Sequence, residues 1–113
     1  MRVYKRKRPR KFVANEKTNL ILSDVGKITL NKNEHITIQT KNKKHDICAM
    51  NWGFYATSSL NRRLKLQGFK TFLVKNFYNK LFVMIVENRK KNLFKKYCKQ
   101  ESLRIVMRLD TIK

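Results

Sequence analysis

Residues 80–110 read KLFVMIVENRKKNLFKKYCKQESLRIVMRLD, and the hydrophobic period changes twice along them. From Leu81 to Val86 the run is apolar without a break, which predicts a strand covered on both faces and central in a sheet. Over residues 88–101 Leu93, Phe94, Tyr97 and Cys98 fall on one helical stripe, with Arg89, Lys90, Lys95, Lys96 and Lys99 mostly off it. After Ser102 the period returns to two. It predicts Leu103, Ile105, Met107 and Leu109 inward, and Arg104, Val106 and Arg108 outward on one sheet face. Strand, helix and strand in succession predict a right-handed crossover.

Working outward, residues 69–76 (FKTFLVKN) predict a strand that turns through Phe77, Tyr78 and Asn79 into the one at 80–87. Before it, Thr57, Ser58 and Ser59 offer short hydroxyls for a helix start, Leu60 and Leu64 lie one turn apart, and Gly68 suits the position just past the helix end. Residues 26–40 (GKITLNKNEHITIQT) alternate around Ile28 and Leu30, then around Ile36 and Ile38, so a hairpin closed by residues 31–34 is expected. Residues 45–50 and 52–57 add two short extended pieces, or one interrupted at Asn51, with Trp52, Phe54 and Tyr55 expected over the core. The expected fold class is α+β: a small, mostly antiparallel sheet with two helices on one face and a C-terminal α-β-β-α-β order. Residues 14–113 form the single domain of this reading.

Residues 1–13 are set apart as a basic arm. Seven of the first eleven residues are basic: Arg2, Lys5, Arg6, Lys7, Arg8, Arg10 and Lys11. Pro9 forbids a continuous helix there, so the arm is expected to be solvated and mobile until a partner binds it. The whole chain carries 28 basic residues against seven acidic ones, a formal charge of +21. An AT-rich genome inflates Lys but does not remove acids, so the imbalance points to a polyanion that offsets self-repulsion.

Several classes are disfavoured by residue type. Cys48 and Cys98 stand far apart with no C-x-x-C and no His pair, so reduced thiols in an intracellular protein are expected, with no metal and no cofactor. No apolar run is long enough for a membrane span, and the arm lacks the features of a secretory or transit signal. His45 and Cys48 are three apart, an odd spacing that puts them on opposite faces of a strand; no enzyme and no small-molecule substrate are expected. The glycines, Gly26, Gly53 and Gly68, build neither a G-x-x-G clamp nor a phosphate-cradling loop. The aromatic motif of RNA-recognition sheets and a helix-turn-helix are both missing.

These observations favour a non-enzymatic RNA-binding protein, a structural component of a ribosome in a bacterial cytoplasm or a mitochondrion, with rRNA and neighbouring ribosomal proteins as partners. The seven arm residues would contact rRNA phosphates. Arg62, Arg63, Lys65, Arg89, Lys95, Lys96 and Lys99 would form the docking surface of the folded part, with Ser58 and Ser59 helping Arg62 and Arg63 to hold a phosphate. DNA binding, or nuclear import through the arm, is a further reading that rests on charge alone.

Trp52, Gly53, Phe54, Tyr55, Thr57, Ser59, Asn61, Arg63 and Leu64 fit a W-G-[FY]-Y-x-T-x-S-x-N-x-R-L stretch. With the following hairpin, helix and closing Arg108-Leu109-Asp110, residues 45–110 resemble a small uncharacterised bacterial family that ends in W-L-D. Arg108 replaces the aromatic, and the basic arm is extra. The resemblance implies one compact domain and an association with cell-surface polysaccharide genes. It therefore carries an alternative function: an accessory protein in surface-polysaccharide synthesis that binds a protein or an acidic glycan.

Overall fold

The structure, a computed structural model, describes residues 1–112. The chain is mostly antiparallel strand with two short helices. It divides into two compact units, residues 1–58 and the remainder from Ser59. Among the described residues the strands form three separate small sheets, where the sequence suggested one sheet in one domain.

In the first unit, β1 (Arg2–Asn15) pairs antiparallel with β2 (Leu20–Thr29). The segment expected to be a free arm is therefore a strand. Val3 lies opposite Ile28, Phe12 opposite Leu22 and Val13 opposite Ile21, and these β-forming partners lie outside the arm itself. Residues 16–19 make the turn, with Asn19 at a φ of 55° and the Asn15 side chain accepting the Lys17 N–H at 3.1 Å. The ladder breaks once in its middle. Lys5 pairs with Gly26 and Arg10 with Asp24, so residues 6–9 bulge out opposite Val25 alone. Pro9 sits inside this bulge, where its missing N–H costs no ladder bond. Gly26 is required at the base of the bulge: its φ is 153°, and a Cβ there would stand 2.1 Å from the Tyr4 carbonyl oxygen.

The second sheet of this unit has the order β3 (His35–Gln39), β4 (Lys44–Met50), β5 (Gly53–Ala56), antiparallel throughout. The expected turn at 31–34 exists, with the Glu34 N–H donating to the Asn31 carbonyl at 3.1 Å and the Glu34 carboxylate accepting the Asn31 N–H at 2.6 Å. It does not close a hairpin. The strand before it pairs with β1 and the strand after it pairs with β4, because alternation defines a face and leaves the neighbour open.

The second unit holds α1 (Arg63–Leu66), β6 (Phe69–Lys75), β7 (Leu81–Glu87), a 3-10 turn (Asn88–Lys90), α2 (Lys91–Gln100) and β8 (Arg104–Arg108). Gly68 closes α1 with a φ of 92°, as expected. The turn between β6 and β7 is also where the sequence placed it, with the Asn76 side chain accepting the N–H groups of Tyr78 and Lys80 at 2.9 Å each. The sheet order is β7-β6-β8, so β6 is central and β7 lies at an edge. This reverses the expectation. β6 buries Phe69, Thr71, Phe72 and Val74, whereas Leu81, Phe82 and Val83 of β7 stay exposed. Both neighbours run antiparallel to β6, so β7 and β8 are parallel to each other, joined through α2, with β6 between them. The core is Phe72, Val74 and Val86, with Met84, Phe94 and Leu103 packed against it, and Phe94 of α2 stacks on Phe72 at 5.3 Å between centroids. Leu93, placed on the same stripe by sequence, is exposed.

β8 contains a bulge that the even alternation of its sequence conceals. Leu73 pairs with Met107 and Val74 with Ile105, which leaves Val106 as an extra residue. The bulge puts Arg108, opposite Phe72, on the face of Phe72, and Arg104, opposite Lys75, on the other. Arg104 and Arg108 therefore do not share an outward face.

Candidate nucleic-acid interface

The bulged hairpin carries the densest charge. Asp24 stands across from the bulge and binds both of its ends: Oδ2 lies 3.4 Å from Arg6 Nε and 3.2 Å from Arg10 Nη2, while Oδ1 accepts the Gly26 N–H at 3.1 Å. The Gly26 N–H first, then Arg10 and the nearby charge of Arg6, hold the Asp24 carboxyl below the ordinary range. Each guanidinium also covers a ring, Arg6 over Tyr4 at 5.9 Å and Arg10 over Phe12 at 5.2 Å. Arg6 and Arg10 thus have internal partners. Arg2, Lys5, Lys7, Arg8 and Lys11 are exposed, and two of them, Lys7 and Arg8, occupy the bulge between the clamped arginines.

The helical cations are exposed as expected, but not arranged as a phosphate pocket at α1. Ser58 is buried, and the Ser59 hydroxyl accepts the Arg63 N–H at 2.9 Å. The Ser58 hydroxyl is closed off from solvent, the Ser59 hydroxyl is taken by the Arg63 N–H, and α1 is only four residues long, so Arg62, Arg63 and Lys65 lie exposed without a serine-built phosphate pocket beside them. On α2, Lys91, Lys95 and Lys99 are exposed and one turn apart, with Lys96 and Arg89 beside the row. Lys91 is a member of this row that the sequence pattern alone does not single out. Like charges at this spacing each cost a few tenths of a kcal/mol in an isolated helix, about 0.2–0.5, and Lys91 sits unfavourably at the positive end of the helix dipole. An anion lying along the row removes both costs. Lys90 is partly neutralised by Glu87 at 3.1 Å.

Aromatics expected in the core lie at the surface instead. Trp52 is 67% exposed, Phe54 72% and Tyr55 44%. Trp52 lies in the two-residue β4–β5 turn, and β5, which carries Phe54 and Tyr55, is the edge strand of its sheet. Trp52 and Tyr55 stack on each other, 5.9 Å between centroids and 20° between planes. Phe77 and Tyr78, also exposed, meet edge to face at 5.6 Å on the β6–β7 turn.

His45 and Cys48 both lie in β4, on opposite faces. The polar cluster in this sheet is another one: Thr37 donates to the buried Asp46 carboxylate at 2.7 Å, and His35 Nε2 lies 3.9 Å from the same oxygen and 3.4 Å from Thr57 Oγ1. Cys48 and Cys98 are buried free thiols, and burial pushes the Cys98 thiol up. Among the described residues no cluster of His, Cys, Asp or Glu could hold a metal ion, and no helix is long and apolar enough to cross a membrane.

In class, then, this is a strongly basic, mainly antiparallel α+β chain whose exposed surface interleaves cations with aromatic rings. The chain matches no family model, no curated protein and no solved structure.

Proposed function

We propose that the protein is a non-enzymatic RNA-binding protein that serves as a structural component of a ribonucleoprotein, a ribosome being the assembly that best suits a chain of this charge. The observation that carries this reading is the bulged hairpin, where Lys7 and Arg8 project between two arginines already fastened to Asp24. A loop held at both ends presents its cations with less conformational entropy to lose on binding than a free arm would. Arg2, Lys5 and Lys11 extend the charge along the strand, and the α2 lysines supply a second row for the phosphate backbone.

The test is the salt dependence of binding to single-stranded RNA. Replacing Lys5, Lys7 and Arg8 by Ala removes three cations that make no ion pair in the hairpin, so the slope of log K against log salt should fall by about 2, at about 0.7 per phosphate. An unchanged slope removes the bulge from the interface. Co-sedimentation with ribosomal subunits through moderate salt is the expected outcome for the ribosomal assignment.

One observation keeps the glycan reading in view: a sugar ring can also lie against exposed aromatics such as Trp52 and Tyr55. Retention on an acidic polysaccharide with no preference for RNA over heparin would favour that alternative.

A further inference from the structure

We infer that Trp52 and Tyr55 form a stacking platform for an unpaired nucleobase, which makes the protein selective for single-stranded RNA over duplex. This inference rests on the RNA-binding reading above. Three features of the first unit support it.

The first is geometric. Trp52 lies in the two-residue turn between β4 and β5, and Tyr55 faces it from β5. The rings lie 20° from parallel, and Trp52 is two-thirds exposed as a residue, so an apolar ring surface is open to solvent beside a ring already in place. Gly53 sets the spacing. Its φ of 143° bends the chain directly after Trp52 in a conformation that L side chains rarely adopt, so that a turn residue and a strand residue three positions on can stack. A large exposed tryptophan held in this way gains little stability for the fold, whereas stacking with a base requires an open π-face.

The second is the set of side chains that share the sheet face with Tyr55. Tyr55 is opposite Cys48 in register and so shares a sheet face with His35, Thr37 and Asp46, while Phe54 points to the other face. Cys48 and Met50 are the sulfur-bearing neighbours on that face, and the remainder of it is polar. The imidazole of His35 and the hydroxyl of Thr57, 3.4 Å apart, lie on the exposed side of the buried Asp46 and can serve the edge of a base.

The third is charge. The turn at residues 31–34 lies at the same end of the sheet as the turn that carries Trp52, because the Asn33 N–H donates to the Ala49 carbonyl and the Ala49 N–H to the Glu34 carbonyl. Lys32 is exposed in that turn. The amine of Met1 lies 3.3 Å from Glu34, which brings the start of β1, with Arg2, to the same end. A strand whose phosphates follow β1 toward Arg2 and Lys32 would bring a base to the Trp52 ring. A basic partner is repelled by the same charges, and a duplex cannot offer an unstacked base.

Trp52 is the only tryptophan, so its emission reports on this site alone. The full chain is titrated with a short single-stranded RNA, with the same sugar–phosphate backbone lacking bases, and with an RNA duplex of equal phosphate count. Affinities are read by anisotropy, and Trp52 emission is read in parallel. Base-bearing single strands should quench Trp52; the abasic strand and the duplex should bind without quenching. Trp52→Ala should weaken single-strand binding at least about 5-fold, leave the abasic and duplex affinities and the salt slope unchanged, and be rescued by Trp52→Phe. Tyr55→Ala should reduce the quench. Equal affinity of Trp52→Ala and the unaltered chain for base-bearing RNA overturns the platform and leaves phosphate binding standing. Quenching by an acidic oligosaccharide and not by RNA overturns it in favour of a glycan. Failure to bind any of the three nucleic acids at low salt overturns both the platform and the reading beneath it.

Discussion

Asp24 is the one acid on the hairpin close enough to two arginines to withhold both from a ligand, which makes Asp24→Asn an informative substitution. The amide keeps an oxygen to accept the Gly26 N–H, so the turn of β2 beside the bulge is retained, but the charge that holds Arg6 and Arg10 is gone. Strand β1 then offers seven available cations, Arg2, Lys5, Arg6, Lys7, Arg8, Arg10 and Lys11, instead of five. If each meets a phosphate, the β1 share of the salt slope on single-stranded RNA rises from about 3.5 to about 4.9, at about 0.7 per contact. At 0.1 M salt each added contact strengthens binding about 5-fold, so the pair gives up to about 25-fold.

The assay is fluorescence anisotropy with labelled single-stranded RNA over a range of KCl concentrations, for the unaltered chain, Asp24→Asn, and each of these combined with Arg6→Ala or Arg10→Ala. In the unaltered chain, loss of either arginine should barely move the slope. In the Asp24→Asn background the same losses should each lower it by about 0.7. The reversal isolates the carboxylate as the group that decides whether these arginines bind ligand. Cross-strand NMR contacts between Phe12 and Leu22 would verify that the ladder survives. A slope for Asp24→Asn equal to that of the unaltered chain, with the ladder intact, refutes the reasoning: Asp24 would then orient arginines that already reach phosphate.

In the second unit, Arg108 binds the buried Asp110 by two bonds, Nε to Oδ1 at 2.9 Å and Nη2 to Oδ2 at 2.6 Å, and lies over Phe72 at 5.9 Å. Arg108→Ala strands a buried carboxylate and should cost about 2–3 kcal/mol by urea denaturation, below the usual 3–5 for a fully buried pair because Arg108 is partly exposed. Asp110→Asn should cost less, since the guanidinium can turn to water. Gly26→Ala forces a Cβ against the Tyr4 carbonyl, and hydrogen exchange should show amides of Arg2 to Lys5 losing protection while the second unit keeps its own. Asp24, Glu34 and Asp110 all have carboxyl pKa values held below ordinary: Asp24 by the Gly26 N–H and arginines, Glu34 by the Asn31 N–H and the Met1 amine, and Asp110 by Arg108. Groups depressed on folding contribute stability that is fully present above their unfolded pKa and lost as pH falls through the folded one. Stability should therefore be flat at neutral pH and decline only below about pH 4, with NMR titration placing all three inflections under the unfolded values.

What was legible in the sequence was local. The turn after β6 carries its own signal in Asn76 to Lys80, α1 announces its end at Gly68, and the period of Phe94, Tyr97 and Cys98 marks α2. What was hidden depends on pairing between distant segments. Residues 2–13 hold too few apolar side chains to suggest a strand until Ile21, Leu22 and Ile28 are set opposite them. The run Leu81–Glu87 looked central because apolar content stands in for burial only when both faces are covered, and β6, with two lysines at its ends, took that place. A bulge leaves the alternation of a sequence intact while turning every later side chain over, which is how Arg108 came to face Phe72. As for the site, the cations are visible in the sequence, but not that Asp24 withholds two of them, and Trp52, Phe54 and Tyr55 read as core residues although the structure leaves them exposed.

The hairpin is where these threads join. A two-stranded ribbon is marginal in water unless something packs on it, and here Val3, Tyr4, Val13, Ile21, Leu22, Val25 and Ile28 all remain exposed. Nine basic residues against two acidic ones over residues 2–29 add repulsion to a structure with little burial to oppose it. Asp24 offsets part of that repulsion at the bulge, but one carboxylate cannot do more. A bound polyanion supplies the remaining counter-charge and, by mass action, stabilises whatever state it binds, by about 2.7 kcal/mol at a hundredfold excess over Kd. Hairpin order and ligand binding are on this account one equilibrium: the feature that makes the ribbon a poor isolated structure makes it responsive to phosphate. Asp24 and Gly26 set the starting point of that equilibrium, the first by holding the bulge closed and the second by letting β1 approach closely enough for the bulge to form.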